Sequence, residues 1–439
     1  MFFKNFVENF DCQNAFSGVK FFAFFSFFLL LCIDTNIKNS VLFYYLKERT
    51  MKKFSFLFLA LVLVVSMAFI TISCQRQGAS ASGASDGPVP IGTVAPISGS
   101  LSFYGIEVRD GALMALEEIN AAGGLLGRQL RLVVEDDEGD AAKANSALTK
   151  LINVDKVSLV VGSVTSGATM GMTQLAQSQK VVVMAPSATN INVTNAGDYI
   201  FRACIIDPFQ GVVGADFAYG TMGSRRAAVL YDAGADYNTG LAEEFSKRFV
   251  ANGGQIVANE AYQSGDVDFN AQVTRIRAAN PDIIFLPNYY YDLALQARQL
   301  RAQGITAPFL GGDGWDGLID HVQEEVLNSY WTALFAADTT DPKGAAFVRA
   351  FQARFNRVPS SFAALGYDSL VLIADGVKAA NSFDSTAVKD AIARTNGVYA
   401  TGNIRYDSNR NPIKSLAVLE IVRRPDGTYA NVFKTSVNP

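Results

Sequence analysis

From Pro88 onward the chain alternates short β-rich runs with segments of helical period, and that rhythm limits the folds open to it. Residues 89–95 (VPIGTVA) read as a strand. Over 107–120, Val108, Ala112, Leu116 and Ile119 fall at spacings that share one helix face. Strands are expected at 130–135, 157–161 and 181–184, with helices at 141–154 and 169–179 between them. A second series repeats the pattern, with strands at 227–231, 255–261, 283–286 and 308–310 and helices at 241–252, 269–279 and 293–303. Gly253 and Gly254 close the first of these helices, Asn280 and Pro281 the second, and Gly304 the third. Strands separated by helices run parallel, because a crossover is needed to bring the chain back in the same direction. At 439 residues the chain is too long for one core. The expectation is an α/β protein of two doubly wound parallel-sheet lobes, with Asp207 and Pro208 as a hinge inside 202–211.

The front of the chain has a different grammar. Mean hydropathy is +0.17, high for a soluble protein, and sixteen of the 32 Phe fall within residues 1–73. Met51, Lys52 and Lys53 precede an apolar run over 54–72, followed by Ser73 and Cys74. A basic start, an apolar stretch and a small residue before the break are the marks of a secretory signal over 51–73. Cys74 at that junction resembles a bacterial lipobox, in which the thiol is acylated and the Cys becomes the new N-terminus. Ser73 fits the pattern, and Thr71 departs from the usual Leu. A plain signal peptide, or one anchoring helix with an incidental Cys, is the alternative. Residues 74–88 are Gly/Ser/Ala-rich without a core-forming pattern and read as a flexible tether. An earlier apolar patch at 21–33 is short for a helix that spans a bilayer. The start signal behind it marks Met51 as the initiator and 1–50 as upstream, non-native extension; a two-segment membrane anchor is the rival.

From residue 74 on, 30 Lys and Arg face 37 Asp and Glu. An acidic balance is unsuited to nucleic acid, which requires clustered cations to displace counterions. His321 is the sole His among four scattered Cys, so neither a metal site nor a Ser-His-Asp triad is expected, and no cofactor is. Once the front is removed and Cys74 acylated, only Cys204 remains free. Without a disulfide, stability must come from core burial.

In open α/β sheets ligands sit beyond the carboxyl ends of the strands, so the loops there carry the functional signal. The first strand is followed by Pro96–Ser100 and then Phe103, Tyr104 and Gly105. The third leads into 162–167 (GSVTSG), and the fourth into 185–190 (APSATN). Hydroxyls and free N–H groups opening a helix suit an anion such as a carboxylate, although any one Ser or Thr there can simply cap its helix. No GxxxxGK[ST] motif exists, and the glycine-rich 123–128 lies at a helix end before a strand, which reads as a cap and turn. The second lobe offers Tyr231, Asp232, Asp236, Tyr237, a Tyr289–Asp292 run and Asp313 among glycines at a strand end. Asp313 is either a functional carboxylate or a solvated turn. Nothing resembles a nucleophile supported by a base, so catalysis is not expected.

At these residues the chain resembles the leucine/isoleucine/valine-binding protein family, the substrate-binding subunits of branched-chain amino-acid ABC transporters, with the type I periplasmic-binding fold. The resemblance runs from about Ile91 to Val432. It rests on APISGSLSFYG, DGALMALEEINAAGGLLGRQL, EDDEGDAAKA, VGSVTSGAT, APSATN, FRACIIDPFQG, DYNTGL, NYYYD and GGDGW, in the family's order. It implies that Ser166 and Thr189, with backbone N–H groups near Ser187 and Thr189, hold a ligand α-carboxylate. Asp313 would receive the α-ammonium, as Asp where Glu is common, and Tyr104, Tyr237 and Tyr289 would close over the ligand. It implies a hinge of three crossings near 203–207, 332–337 and 401–403. Lobe 1 would then comprise 89–206 plus 338–402, and lobe 2 207–337 plus 403–439. The implied protein is an exported, monomeric lipoprotein anchored through Cys74 in the periplasm or at the cell surface. It would hand an amino acid or related small zwitterion to a permease in the cytoplasmic membrane. A binding protein for a short amide, urea or aromatic carboxylate, a sensory ligand-presenting protein and an exported enzyme using the cleft are the competing readings.

The start-site reading is directly testable. Peptide mass mapping of the native protein is expected to recover no peptide from residues 1–50, and a single such peptide would overturn Met51 as the initiator.

Overall fold

Two separate sheets carry the architecture of residues 87–439, which are the residues the computed structural model describes. The expected extension 1–50, the signal 51–73, Cys74 and the tether up to residue 86 lie outside the described residues. The first sheet contains β1 (Val89–Ala95), β2 (Leu130–Asp136), β3 (Leu159–Gly162), β4 (Val182–Ala185) and β5 (Ile200–Arg202) in the order β2-β1-β3-β4-β5, all parallel. Its crossovers are α1 (Ser102–Ala121), α2 (Ala141–Asn153) and α3 (Ser166–Ser178).

The strands β3 (LVVG) and β4 (VVMA) are wholly buried, as expected of aliphatic strands covered on both faces. Alternation along them sorts the side chains. Val160 and Val183 join Val94 against Leu148, Leu151 and Met172 of α2 and α3, whereas Val161 and Met184 join Ile91 against Val108, Ala112 and Leu116 of α1. This is the doubly wound arrangement anticipated from the alternating pattern.

The chain then enters α4 (Asp207–Asp216), which carries Pro208 in its first turn, where a missing N–H costs nothing. Next come β6 (Arg226–Asp232), α5 (Asp236–Ala251), β7 (Gln255–Tyr262), α6 (Asn270–Ala279), β8 (Ile283–Leu286), α7 (Tyr290–Ala302), β9 (Phe309–Gly311) and β10 (Tyr330–Ala333). Asn280 ends α6 in the left-handed conformation just before Pro281. After β10, the helices α8 (Pro342–Phe355), α9 (Ser361–Ala380) and α10 (Ser385–Ile392) return to the first sheet, α9 packing along α1 and α10 against β4. A hairpin of β11 (Asn396–Tyr399) and β12 (Gly402–Arg405) precedes β13 (Leu416–Arg423) and β14 (Tyr429–Val437). These last two complete a seven-stranded sheet ordered β14-β13-β10-β9-β8-β6-β7. Its β6–β10 ladder is parallel, while β13 runs antiparallel to both β10 and β14, so the second lobe ends in an antiparallel edge.

The chain passes from the first sheet to the second at 203–206 and back after Ala333. The third passage lies later than 401–403. Tyr406 donates to Arg202 O (2.9 Å), Arg410 to Ile200 O (3.0 Å) and Thr194 O (2.7 Å), and Lys414 to Ala203 O (3.4 Å). Residues 402–414 therefore pack on the first lobe, and the chain reaches the second sheet only at Leu416.

The closeness of α1 and α9 depends on two glycines. A Cβ on Gly111 would lie 1.9 Å from Ala363 O, and one on Gly366 would lie 2.2 Å from Val108 O. Alanine in a helix interior is ordinarily favoured over glycine by up to about 1 kcal/mol. Here the obstructing atoms are backbone, and the overpacking cost of about 1–3 kcal/mol should prevail. Gly111→Ala is expected to lower the urea midpoint of unfolding; an unchanged or higher midpoint would show that the helices can separate freely.

Candidate ligand-binding site

The first sheet reverses its strand order between β1 and β3, and the second between β6 and β8. Loops leaving such switch points diverge and open a crevice. The expected side chains are found there. Tyr104, Ser166, Ser187, Tyr237, Tyr289 and Asp313, joined by Val164, Thr165 and Phe362, line one cavity with about 230 Å³ of empty space. Thr189, also expected there, is buried and is not among the lining residues.

On the first lobe the cavity wall is built from loop backbone and hydroxyls. Thr165 caps α3 by accepting from Ala168 N, so Ser166 occupies the first helical position. Its Oγ accepts from Asn190 N (3.2 Å), which leaves its own proton available. Ser187 instead spends its hydroxyl proton on Val164 O (2.9 Å), so a carboxylate there can receive only the Ser187 backbone N–H. Arg202, fully buried, donates to Ala188 O (2.8 Å) and Asn190 O (2.9 Å), and Asp207 N donates to Thr189 O (2.9 Å). With the carbonyls held from behind, the planar peptides turn their N–H groups to the opposite side. Arg202 is thus the organiser of this loop, a role that the sequence reading did not assign to it.

On the second lobe the cavity is aromatic and acidic. Tyr237 and Tyr289 stack with centroids 5.1 Å apart, and Phe362 of the first lobe stacks on Tyr104 at 4.2 Å. Asp313 is 3 % exposed, and no Lys or Arg is among the described residues lining the cavity. Burial pushes its carboxyl up to about 6, against the opposing hydrogen bonds from Gln210 and Tyr237. Gln210 Nε2 lies 2.9 Å from Asp313 Oδ1. Asp207, a turn earlier on α4, is pushed up to about 8, chiefly by burial and also by Asp313, with Thr189 and Arg202 opposing. Neither oxygen of Asp207 has an aligned hydrogen-bond donor.

The lobes also grip each other directly. Tyr104 Oη donates to Gly314 O (2.6 Å) and accepts from Tyr290 N (3.1 Å), while Tyr290 Oη donates to Ser100 O (2.5 Å). Asn190 Nδ2 donates to Asp236 O (2.8 Å), and Ser361 N at the start of α9 donates to Asp316 Oδ2 (2.6 Å). The Tyr104 ring faces the cavity, but its hydroxyl is committed to the opposite lobe. Gln210, Arg202, Asp316 and Phe362 were not singled out from the sequence. Arg202 and Gln210 lie within FRACIIDPFQG and Asp316 directly after GGDGW, but the partner that gives each its position is set by the fold and not by the motif.

A buried carboxylate with no Lys or Arg among the described residues lining its cavity is a liability to the fold. The folded carboxyl of Asp313 sits above its ordinary value near 4, so stability is lost as pH rises from about 4 to 6, amounting at neutral pH to about 3 kcal/mol. Asp313→Asn is expected to raise the ligand-free urea midpoint at pH 7 and to leave it nearly unchanged at pH 4. A lower midpoint at pH 7 would show that the charge is already compensated.

Comparison with known proteins agrees with this geometry. A family model described as periplasmic binding protein matches residues 88–427. A leucine-, isoleucine-, valine-, threonine-, and alanine-binding protein of Pseudomonas aeruginosa is 33% identical over 332 residues, covering 75% of this chain and 88% of that protein. The crystal structure of a leucine binding protein from Thermotoga maritima superposes with a TM-score of 0.76 at 33% identity, covering 80% of this chain and 99% of that one. A branched-chain amino acid transporter substrate binding protein from Streptococcus pneumoniae, solved in complex with isoleucine, gives 0.73 at 33% identity over 79% of this chain and 100% of that one.

Proposed function

The chain belongs to the periplasmic binding protein family, among the substrate-binding proteins of branched-chain amino-acid ABC transporters, and on that footing we propose that it captures an apolar amino acid between its lobes. Members of this family bind solutes for import and are not enzymes. The observation that carries the proposal is the polarity of the cavity. Asp313 faces it from the second lobe with no cation among the described residues of its lining, and loops rich in hydroxyl and N–H donors face it from the first. A zwitterion matches both ends. Its ammonium supplies the charge that Asp313 lacks, and its carboxylate meets Ser166 and the N–H groups near Ser187 and Thr189. Because these partners sit on different lobes, a ligand bridging them binds the closed arrangement more tightly than the open one and so drives closure.

Tyr104, Tyr237, Tyr289, Phe362 and Val164 leave an apolar surround for the side chain, which favours aliphatic amino acids over charged ones. A ligand without an ammonium, such as benzoate or urea, would leave a buried carboxylate unpaired, a costly outcome. Export by the 51–73 signal, anchorage through Cys74, a monomeric state and delivery to an ABC permease complete the reading.

Titration calorimetry against the twenty amino acids, small amides, urea and benzoate is expected to give saturable heat with aliphatic amino acids. Asp313→Asn should weaken that binding by about 2–5 kcal/mol, the range for truncating one member of a buried charge pair. If no amino acid gave saturable heat, or if the substitution left affinity untouched, the zwitterion assignment would fall.

A further inference from the structure

We infer that Gln210 is the positioning residue for the Asp313 carboxylate, holding the group that faces the ligand to the chain segments that join the lobes. The inference rests on Asp313 being the ammonium acceptor and specifies what aims it. Gln210 lies in the first turn of α4, immediately after the 203–206 connection, and is fully buried. Its Nε2 donates to Asp313 Oδ1 and to Thr332 Oγ1, each at 2.9 Å. Thr332 is the penultimate residue of β10, directly before the second connection. Both amide protons are therefore used, and the amide has one orientation. The reverse orientation would set its carbonyl oxygen against a carboxylate. Gly312 makes the approach possible, since a Cβ there would lie 3.1 Å from Gln210 Nε2 and 2.4 Å from Tyr237 Oη.

A neutral amide is well chosen for this task. A Lys or Arg at 210 would neutralise Asp313 permanently and compete with an incoming ammonium. An aliphatic residue would fill the space and leave the carboxylate unaimed and poorly solvated. Gln210 stabilises the charged form without cancelling it, and it opposes the burial that pushes Asp313 up.

The acid limb of binding reports on this role. The titratable groups around Asp313 are Asp207 on α4, Cys204 on the first connection, Tyr237 on α5, Tyr289 before α7, Tyr104 on α1 and Asp316 after β9. The phenols and the thiol stay neutral across the useful range. Asp207 and Asp316 titrate above Asp313, near 8 and 7 against about 6. Binding that requires the Asp313 carboxylate is thus lost as pH falls through about 6. Removal of a donor that favours the charged form moves that loss to higher pH.

The test is leucine titration calorimetry from pH 5 to 8 on the wild type, Gln210→Leu and Asp313→Asn, with Gln210→Met replacing Gln210→Leu should that variant fail to fold. Gln210→Leu is expected to bind leucine about 10- to 100-fold more weakly at pH 7, the range for losing a hydrogen bond to a charged group. Its acid limb is expected at higher pH than the wild type's. Uniform weakening at every pH, or unchanged affinity with an unmoved limb, overturns Gln210 as the positioning residue while Asp313→Asn remains defective. Wild-type affinity in Asp313→Asn, or no leucine binding by the wild type, overturns the ammonium reading and the inference with it.

Discussion

A carboxylate buried without a cation is the constraint on which the rest of this structure depends. Asp313 is surrounded by neutral donors alone, the Gln210 amide and the Tyr237 hydroxyl, and by aromatic rings that keep water away. Neutral donors reduce the desolvation cost of the charge without removing its demand for a counter-ion. The opposite wall answers with N–H groups and hydroxyls held by Arg202 and by the cap of α3. A site of this kind is poorly matched by either charge alone and well matched by a small molecule carrying both.

Lobe closure has a foundation of its own. The Tyr104 hydroxyl bridges Tyr290 N and Gly314 O, and Asp316 accepts from the first turn of α9, where its charge also complements the helix dipole. These bonds join the lobes whatever the cavity holds. A ligand that bridges the lobes adds to these bonds in the closed arrangement.

The eight expected strands were legible to within two residues, because a strand buried on both faces announces itself as an aliphatic run; β1 and β8 occur at 89–95 and 283–286 as expected, whereas β5 and β10–β14 were not read from the sequence. Four helix beginnings were not legible, although those of α2 and α6 fall within a residue of expectation. The helices expected from 107, 169, 241 and 293 begin at Ser102, Ser166, Asp236 and Tyr290. Each first turn faces the cleft rather than the core, so its residues are polar or aromatic and break the apolar period on which the reading relied. Tyr104, Ser166, Tyr237 and Tyr290 all lie in these hidden turns. Gly105 helped to conceal the first turn of α1 by looking like a loop residue, when its purpose is close approach to Pro96 O, 2.0 Å from where its Cβ would stand.

The amino-acid order alone determined the class of fold, the two-lobed repetition and, through motifs shared with a known family, the short set of side chains that meet in the cavity. The fold class and the repetition follow from local period and composition, which a linear string records in full, and the side chains of the site follow from the resemblance alone. The tertiary structure decided how the charges are managed. Gln210 reaches Asp313 across 103 positions of sequence, and Tyr104 reaches Gly314 across 210. It also carried residues 402–414 onto the first lobe before releasing the chain to β13. Desolvation and donor geometry are properties of three-dimensional enclosure, and no spacing along the chain encodes them.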